Sequence, residues 1–420
     1  MTPGARIQAA IEILEGMNAS GLPADRFIRD WFRTRRYAGA KDRAAVAERV
    51  YDVMRHRASY AWWMHSEAPR ALAIASVLSE GAYADELFSS GTYAPAPLTE
   101  DERAAIGEKR GDPPLHAQFE FPEFLEAELS RSLGEALPVE MRAMLERAPV
   151  DLRVNTLKGP RDDVLASLRD ETIDAHRTPY APTGIRIAAQ AGLSALRRHR
   201  LFEEGAFEFQ DEASQIVALL VGAKPGERVL DLAAGAGGKA LALAAAMRND
   251  GEIVASDIDA GRLLQIGARA ARAGVTIIRT QMDVPDASYD AVLIDAPCSG
   301  SGAWRRQPEQ KWRLTPERLA ELTALQDRLL ELGAARVQPG GRLVYVTCSI
   351  LACENEDRIA AFLAQHPEFT LRSPGDAWHE ATGLPPQPGM DVYFRATPAT
   401  TGTDGFFAAI LVHEGCTHAE

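Results

Sequence analysis

The stretch VLDLAAGAGGKALALAA (residues 229–245) decides the fold class of this chain. An apolar run that favours a β-strand leads into a turn of small residues, and an apolar run with helical spacing follows. Gly235, Gly237 and Gly238 lie in that turn. Small residues between a strand and a helix let the backbone approach a ligand at the helix N-terminus. We therefore expect a nucleotide-binding turn; a tight turn without a ligand is the alternative.

The turn is compatible with two classes of cofactor. The loose dinucleotide pattern G-x-G-x-x-A is satisfied by Gly235, Gly237 and Ala240. The turn alone therefore does not separate a nicotinamide cofactor from S-adenosylmethionine. Asp257 ends the next predicted strand, where an acid can bind ribose hydroxyls of either cofactor. Lys239 suits a carboxylate, which S-adenosylmethionine carries. Asp283 closes the third predicted strand and would reach the adenine side, although an ordinary loop acid fits its spacing equally well.

Composition and length indicate a globular protein of two or three domains. The chain has 420 residues, of which 46% are hydrophobic and 25% charged. We find no apolar run near the roughly 20 residues that span a bilayer, and no basic start with an apolar core at the N-terminus. The four cysteines, at positions 298, 348, 353 and 416, form no CxxC pair. We therefore expect a reducing, cytoplasmic setting without a metal site, with Cys353 and Cys416 structural or incidental.

The charge is unevenly distributed. A formal net charge of −13 argues against a protein that coats nucleic acid. Residues 26–57, however, hold ten basic residues against four acids, and RRHR (197–200) and the pair Arg305 and Arg306 form two more basic clusters. Solvated helix faces are one interpretation of each cluster. Three clusters on an acidic chain favour a local track for an anionic partner.

The hydrophobic pattern predicts three domains. Apolar residues at helical spacing predict an all-α domain over residues 1–145. A strand-like run from residue 149, the helical RDDVLASLRD (161–170) and the strand-like TGIRIA (183–188) predict a small α/β module over 146–205. Strands alternating with helices predict a parallel, doubly wound sheet over 206–420. Its candidate strands are 228–233, 252–257, 276–281, 290–295 and 341–349, and DGFFAAILVHE (404–414) is expected to close the sheet.

Two cysteines follow predicted strands of this sheet. Cys298 comes three residues after Asp295 at the end of the fourth strand, and Cys348 lies at the end of the fifth. Because the carboxyl ends of such strands face the ligand crevice, both thiols are expected on the rim that carries the glycine turn. A single cysteine is usually a small buried hydrophobe, but two on one rim beside an acid favour nucleophilic chemistry.

A thiolate and a methyl sulfonium together suit methylation at carbon 5 of cytosine. That carbon becomes nucleophilic only after a thiolate adds to carbon 6, and a carboxyl group near ring nitrogen N3 would stabilise the charge that develops. A base must then remove the carbon 5 proton so that the thiol can leave. Cys298, Asp295 and Cys348 supply these groups, and spacing alone does not say which thiol attacks.

The cysteine segments resemble motifs of a known family. DAPCSGSGAWRRQPEQKW (295–312) and YVTCSILACENED (345–357) resemble the Pro-Cys and Thr-Cys motifs of the Sun/nucleolar-protein family of RNA cytosine-5 methyltransferases. LRVNTLK (152–158) resembles the family's small RNA-recognition module, and the N-terminal helices are similar to the NusB-like domain of its bacterial 16S rRNA members. The resemblance implies a Rossmann-like S-adenosylmethionine-dependent methyltransferase domain behind a small α/β RNA-recognition module and an all-α NusB-like domain.

The resemblance also implies roles for residues. Cys348 is implied as the nucleophile, Cys298 as the residue that helps release the product, and Asp295 as a contact of both cytosine and cofactor. Lys311 and Arg306 are implied near the RNA backbone. The implied S-adenosylmethionine contacts are Ala233, Ala234, Gly235, Ala236, Gly237, Gly238, Lys239, Asp257, Asp283 and Asp295. The usual family loop has a proline and a threonine where this chain has Ala236 and Ala240.

We therefore expect an S-adenosylmethionine-dependent RNA methyltransferase that forms 5-methylcytosine in 16S rRNA through a covalent adduct of Cys348 with cytosine carbon 6. We expect it to act as a monomer without a metal. A transfer-RNA target is the first alternative. A non-catalytic RNA-binding ribosome-assembly factor and a nicotinamide-dependent oxidoreductase are the alternatives from other classes.

Overall fold

The computed structural model describes residues 1–188 and 193–415. The chain divides into two compact units: Met1–Glu146 with Trp304–Leu314, and Arg147–Ala303 with Thr315–Glu420. Cys416 lies outside the described residues. Across the described ranges, no helix combines the length and apolar character needed to cross a bilayer.

The first unit is helical, as the periodicity predicts. Its apolar faces are buried at the predicted spacing, with Ile7, Ile11, Val46 and Val50 all in one core. Its helices are α1 (Pro3–Ser20), α2 (Ala24–Arg33), α3 (Ala40–Arg55), α4 (Arg57–Met64), α5 (Pro69–Ser79), α6 (Ala84–Leu87), α7 (Glu100–Gly107), α8 (Leu115–Gln118), α9 (Glu126–Leu133) and α10 (Leu137–Ala143). The similarity of this unit to a NusB-like domain stays a prediction.

A segment from much later in the chain completes the helical unit. Residues 304–314 belong to it by their contacts. A carboxylate oxygen of Glu309 accepts a hydrogen bond from the backbone N–H of Ala24 at 3.1 Å. The indole Nε1 of Trp312 donates to the carbonyl of Met54 at 2.5 Å. The predicted helical domain, residues 1–145, did not include residues 304–314.

The second unit contains a small antiparallel sheet of four strands. Its strands are β1 (Val150–Val154), β2 (Ala175–Arg177), β3 (Gly184–Ile187) and β4 (Phe207–Phe209), in the order β2-β3-β1-β4. The predicted module ended at residue 205, whereas β4 comes from beyond it. Strands β2 and β4 have three residues each, so they are too short for an alternating pattern to reveal them.

The large sheet has the order β10-β12-β9-β8-β5-β6-β7, and β11 pairs with β12. The strands β9, β8, β5, β6 and β7 are parallel to one another, whereas β12 pairs antiparallel with β9, β10 and β11. The strands are β5 (Arg228–Leu232), β6 (Glu252–Ser256), β7 (Ile278–Gln281), β8 (Tyr289–Asp295), β9 (Val337–Thr347), β10 (Phe369–Arg372), β11 (Phe394–Ala396) and β12 (Phe406–His413). The sheet is therefore mixed, not wholly parallel as predicted, because an apolar pattern does not encode strand direction.

Helices cover both faces of this sheet, and the parallel strands place the candidate residues. The helices that follow α10 are α11 (Arg161–Asp170), α12 (Leu193–Leu196), α13 (Arg200–Glu203), α14 (Glu212–Leu220), α15 (Gly238–Ala246), α16 (Ala260–Ala273), α17 (Pro308–Arg313, in the helical unit), α18 (Pro316–Ala334), α19 (Glu356–Gln365), α20 (Pro374–Thr382) and α21 (Pro398–Thr401). The glycine turn follows β5, Asp257 follows β6, Asp295 ends β8 and Cys348 follows β9. Carboxyl ends of parallel strands share one edge of a sheet, so these residues meet at that edge.

Candidate active site

The glycine turn after β5 is held in a left-handed backbone conformation. Gly235 has φ +57° and Gly237 has φ +78°, and Ala233 has φ +66° although it is not a glycine. A Cβ atom at Gly237 would lie 2.9 Å from the side chain of Ile266, whereas one at Gly235 would meet no atom within 4 Å. Gly237 is therefore required by packing, and Gly235 leaves the backbone open on the side where a ligand can approach.

Asp257 ties this turn to the end of β6. Its two carboxylate oxygens accept the backbone N–H groups of Gly235 and Asp259, each at 2.8 Å. The next residue, Ile258, is 90% exposed, and Met282 in the neighbouring loop is 53% exposed. Asp283 is also exposed and lies just beyond β7. An acid flanked by exposed apolar side chains suits a nucleoside, and sequence analysis missed both apolar residues.

Lys239 and Asp295 form an ion pair. The ammonium nitrogen Nζ of Lys239 lies 2.6 Å from the Oδ2 atom of Asp295. Lys239 is almost fully buried, and its nitrogen lies 5.4 Å from the centroid of the Phe406 ring. The lysine was expected to face the carboxylate of a cofactor. In the structure its partner is Asp295, which it therefore orients.

A second acid, Asp231, lies fully buried in β5 near this pair. Its pKa is raised to about 8, first by burial and then by the negative charge of Asp295, while Lys239 opposes the shift. The backbone amide of Ala240 is oriented toward its carboxyl group, but neither carboxyl oxygen lies in a hydrogen bond of ordinary geometry. Asp231 is therefore largely protonated at neutral pH. The sequence did contain a signal for this residue, because Asp231 is an acid within the apolar run of a predicted strand, but the sequence analysis gave it no role.

The two predicted cysteines meet at the same edge of the sheet. The Sγ atoms of Cys298 and Cys348 lie 3.4 Å apart, and both side chains are partly buried. The pKa of the Cys298 thiol is raised well above its ordinary value because it contacts Cys348, because it is buried, and because the charge of Glu354 lies nearby. Cys298 therefore keeps its proton at neutral pH.

The loops that carry the two cysteines are joined by backbone contacts. The N–H of Gly302 donates to the carbonyl of Cys348 at 2.9 Å, and the N–H of Gly405 donates to the carbonyl of Gly302 at 2.8 Å. A Cβ atom at Gly302 would lie 2.1 Å from the carbonyl oxygen of Gly405. Only glycine therefore fits at position 302, which accounts for the second glycine of the Cys298 segment.

The buried carboxylate of Glu354 also joins the two loops. Its Oε1 atom accepts the backbone N–H of Ser299 at 2.8 Å and the amide of Gln326 at 3.0 Å. Its Oε2 atom accepts the hydroxyls of Ser299 and Ser349, each at 2.5 Å. Glu354 lay inside the quoted Thr-Cys motif, but sequence analysis gave it no role.

The small sheet is fixed to the glycine turn by its first strand. A guanidinium nitrogen of Arg153 donates to the carbonyl of Gly238 and to the side-chain oxygen of Gln210, each at 2.7 Å. Burial lowers the pKa of Arg153 to about 10. Asn155 donates to the carbonyl of Ala273 at 2.8 Å. Two residues of the LRVNTLK segment thus hold the module against the ends of α15 and α16.

Some of the predicted basic residues do not form exposed clusters. Lys311 is almost fully buried in the helical unit, with its nitrogen 4.7 Å from the Trp312 ring centroid, and burial lowers its pKa to about 8. The expectation that Lys311 meets an RNA backbone is therefore wrong. Arg305 is buried and Arg306 partly buried. The exposed basic residues of the other two clusters are Arg26, Arg29, Arg33, Arg36, Lys41, Arg43, Arg197, Arg198 and Arg200.

Metal ligands are not grouped in the part of the chain that the structure describes. Within residues 1–188 and 193–415, no cluster of three or more histidine, cysteine, aspartate or glutamate side chains could hold a metal ion.

The five-stranded parallel core, its antiparallel extension and the glycine turn after β5 define an α/β methyltransferase fold. Residues 218–412 match the model of a family described as 16S rRNA methyltransferase RsmB/F, and residues 121–193 match that of the RsmF/B-like ferredoxin-like domain. The chain belongs to the RsmB/F family, as the cysteine motifs predicted.

Individual relatives agree with this assignment. The chain is 32% identical over 323 residues to a probable ribosomal RNA small subunit methyltransferase B of Synechocystis, which covers 75% of this chain and 69% of the relative. Ribosomal RNA small subunit methyltransferase B of Salmonella typhi is 34% identical over 295 residues, which is 68% of this chain but only 65% of the relative's length. The crystal structure of PH0851 matches with a TM-score of 0.76 and 28% identity, covering 98% of this chain and 99% of that one.

Proposed function

We propose that this protein is an S-adenosylmethionine-dependent methyltransferase that forms 5-methylcytosine in 16S rRNA. The observation that carries the proposal is the pair of thiols, Cys298 and Cys348, whose sulfur atoms lie 3.4 Å apart on the sheet edge that also holds Asp295. Cytosine-5 methylation needs a sulfur nucleophile, a carboxyl group and a second proton-handling group around one base. The named activity of the relatives supports an rRNA substrate.

The residues around the glycine turn fit S-adenosylmethionine. Gly235 leaves its backbone open, Asp257 is fixed at the end of β6, and the exposed side chains of Ile258 and Met282 offer an apolar surface for an adenine ring. The residues that would hold the cofactor are Ala233, Ala234, Gly235, Ala236, Gly237, Gly238, Lys239, Asp257, Asp283 and Asp295. When bound, S-adenosylmethionine supplies the methyl group as an electrophile.

The nucleophile is Cys348. Cys298 holds its proton at neutral pH, because its pKa is raised by the neighbouring thiol, by burial and by Glu354. The segment that contains Cys348 resembles the Thr-Cys motif of the family, and this resemblance supports Cys348 as the attacking residue. The sulfur of Cys348 adds to carbon 6 of cytosine, and the electron pair of the carbon 5–carbon 6 bond becomes available for methyl transfer. Asp295, oriented by Lys239, contacts the ring near N3, and the Lys239 ammonium beside it offsets the negative charge that develops there.

Release reverses the addition. After methyl transfer, carbon 5 still carries its hydrogen. Removal of that proton returns the electron pair to the carbon 5–carbon 6 bond, and the bond from carbon 6 to the sulfur of Cys348 breaks. The Cys298 sulfur lies beside that bond because the two Sγ atoms are 3.4 Å apart. Cys298 serves release by passing its thiol proton to the departing Cys348 sulfur and accepting the carbon 5 proton in its place, so that both cysteines end as thiols.

The test is methyl transfer from labelled S-adenosylmethionine to total RNA from cells that lack this protein, with Cys348→Ala as the control. Label recovered as 5-methylcytosine in 16S rRNA, and lost in the variant, supports reaction, cofactor and nucleophile together. Label in transfer RNA instead would reassign the substrate. Absence of label from every RNA fraction would favour a non-catalytic assembly factor, and cofactor binding would then be measured alone.

A further inference from the structure

A residue outside the predicted chemistry contacts both of the loops that carry the two thiols. Glu354 is fully buried and contacts the serine that follows each cysteine, Ser299 after Cys298 and Ser349 after Cys348. One oxygen of its carboxylate accepts hydrogen bonds from two N–H groups, and the other accepts hydrogen bonds from two hydroxyl groups. A buried carboxylate with four hydrogen bonds is held rigidly, since an unpaired donor in this place would be costly.

We propose that Glu354 is a positioning residue of the methyl-transfer reaction, whose carboxylate joins the Cys298 loop to the Cys348 loop and so places Cys298 for product release. The inference rests on the proposed function, since only a reaction that uses both thiols on one base requires their spacing. Glu354 has no contact with the reacting atoms, and it acts through Ser299 and Ser349.

The Cys348 loop has a second anchor that does not involve the Glu354 carboxylate. The side chain of Asn355 donates to the carbonyl of Ser349 at 2.9 Å and accepts the hydroxyl of Thr347 at 2.6 Å. The backbone N–H of Ile350 donates to the hydroxyl of Ser301 at 2.9 Å. Loss of the Glu354 carboxylate therefore leaves the nucleophile's loop supported.

The Cys298 loop depends on Glu354 more directly. Both the backbone N–H and the hydroxyl of Ser299 donate to the Glu354 carboxylate. The amide of Gln326 bridges the same carboxylate to the carbonyl of Pro297, the residue before Cys298. Removal of the carboxylate would take away both Ser299 contacts and one of the two contacts of the Gln326 amide that holds Pro297. We therefore expect failure of release, with Cys348 still able to form its covalent adduct with RNA.

The Glu354 carboxylate also acts through its charge. It is one of the causes that raise the pKa of the Cys298 thiol. The variant Glu354→Gln separates charge from position, because its amide oxygen can still accept from the N–H donors and its amide nitrogen can donate to the serine hydroxyls. In Glu354→Gln the spacing should persist and Cys298 should react with iodoacetamide at a lower pH than in the wild type.

The experiment compares Glu354→Ala and Glu354→Gln with wild type, with Cys298→Ala as the reference for blocked release. Glu321→Gln on α18 is a matched control, because this exposed glutamate pairs only with Arg318 among the described contacts. The first measurement is the rate at which a disulfide forms between Cys298 and Cys348, and it uses no RNA. Oxidised glutathione is the oxidant: it accepts two electrons from the two thiols and is converted to two molecules of reduced glutathione. Peptide mapping detects the disulfide. The second measures covalent protein–RNA complex against methylated RNA.

We expect Glu354→Ala to slow disulfide formation by roughly 10- to 100-fold and to raise the ratio of adduct to methylated product toward that of Cys298→Ala, since small misplacements of reacting groups cost rates of this order. If Glu354→Ala does not fold, Ser299→Ala should shift both measurements in the same direction by less. A wild-type disulfide rate with a wild-type adduct ratio would overturn the proposal. If the wild type itself forms neither adduct nor product, the proposed function fails, and the disulfide rate alone decides whether Glu354 sets the spacing.

Discussion

The ammonium nitrogen of Lys239 lies 2.6 Å from a carboxylate oxygen of Asp295. Lys239 lies in the first turn of α15, directly after the glycine turn, and Asp295 is the last residue of β8, three residues before Cys298. The contact therefore links these two elements. The pair therefore couples the cofactor side of the sheet edge to its thiol side. Because Lys239 is nearly buried, its charge would be expensive without this partner.

Lys239→Met should leave Asp295 free to rotate at the site. We expect methyl transfer to fall by roughly 100-fold, since the carboxyl group is no longer oriented toward the base. Steady-state kinetics with labelled S-adenosylmethionine would measure the loss, and Arg228→Met, at the opposite end of β5, serves as the control. Unchanged activity in Lys239→Met would show that the pair does not orient Asp295.

The two cysteine variants should fail in opposite ways. Cys348→Ala should abolish both methylation and covalent capture of RNA, because it removes the nucleophile. Cys298→Ala should leave capture intact and block release, so that a protein–RNA complex survives denaturing electrophoresis. Normal methylation by both variants would exclude the proposed mechanism.

Asp231→Asn should change how stability depends on pH. The pKa of Asp231 is raised from 3.8 to about 8 in the folded chain. Below about pH 4 the Asp231 carboxyl group is protonated in both the folded and the unfolded chain. Between about pH 4 and 8 it is protonated only in the folded chain. Its contribution to the free energy of unfolding therefore falls as the pH rises through this range. The full loss is at most about 6 kcal/mol. The melting temperature of Asp231→Asn should therefore exceed that of wild type by more at pH 8 than at pH 5, and equal differences at the two pH values would contradict the raised pKa.

Alanine at Gly237 should be more harmful to the fold than alanine at Gly235. Both glycines have positive φ, and a non-glycine residue there costs about 1–2 kcal/mol. At Gly237 the added methyl group also meets Ile266 at 2.9 Å, and overpacking of this kind costs a further ~1–3 kcal/mol. Denaturant unfolding would compare the two variants, and calorimetry with S-adenosylhomocysteine would separate folding from binding. An equal loss of stability would show that Ile266 moves aside freely.

The sequence predicted the parts of this fold that repeat a pattern. The alternation of strands and helices after residue 206 indicated the methyltransferase sheet, because β5, β6, β8 and β9 are buried apolar strands. No repeating pattern in the sequence indicated that β12 runs antiparallel to β9, or that the three-residue strands β2 and β4 exist. The boundaries of the predicted domains also missed the 304–314 segment, since the partners of that segment lie more than two hundred residues earlier.

The candidate site was predicted where residue type and strand position agree. Asp257, Asp295, Cys298 and Cys348 all lie at strand ends, where polar side chains of a doubly wound sheet gather. The supporting residues could not be found in this way. Glu354 acts from a short 3₁₀ helix after the cysteine, and its role depends on side-chain contacts that only the folded chain brings together.

The 304–314 segment has a consequence for how the molecule is made. The helical unit contains residues 1–146, yet it gains the carboxylate of Glu309 and the indole of Trp312 only after translation has passed those later positions. Strands β1 to β8 therefore leave the ribosome before the amino-terminal unit can reach its final packing. During biosynthesis the helical unit therefore waits for a segment that follows eight strands of the second unit, and the second unit is completed later still, when β9 to β12 have been made.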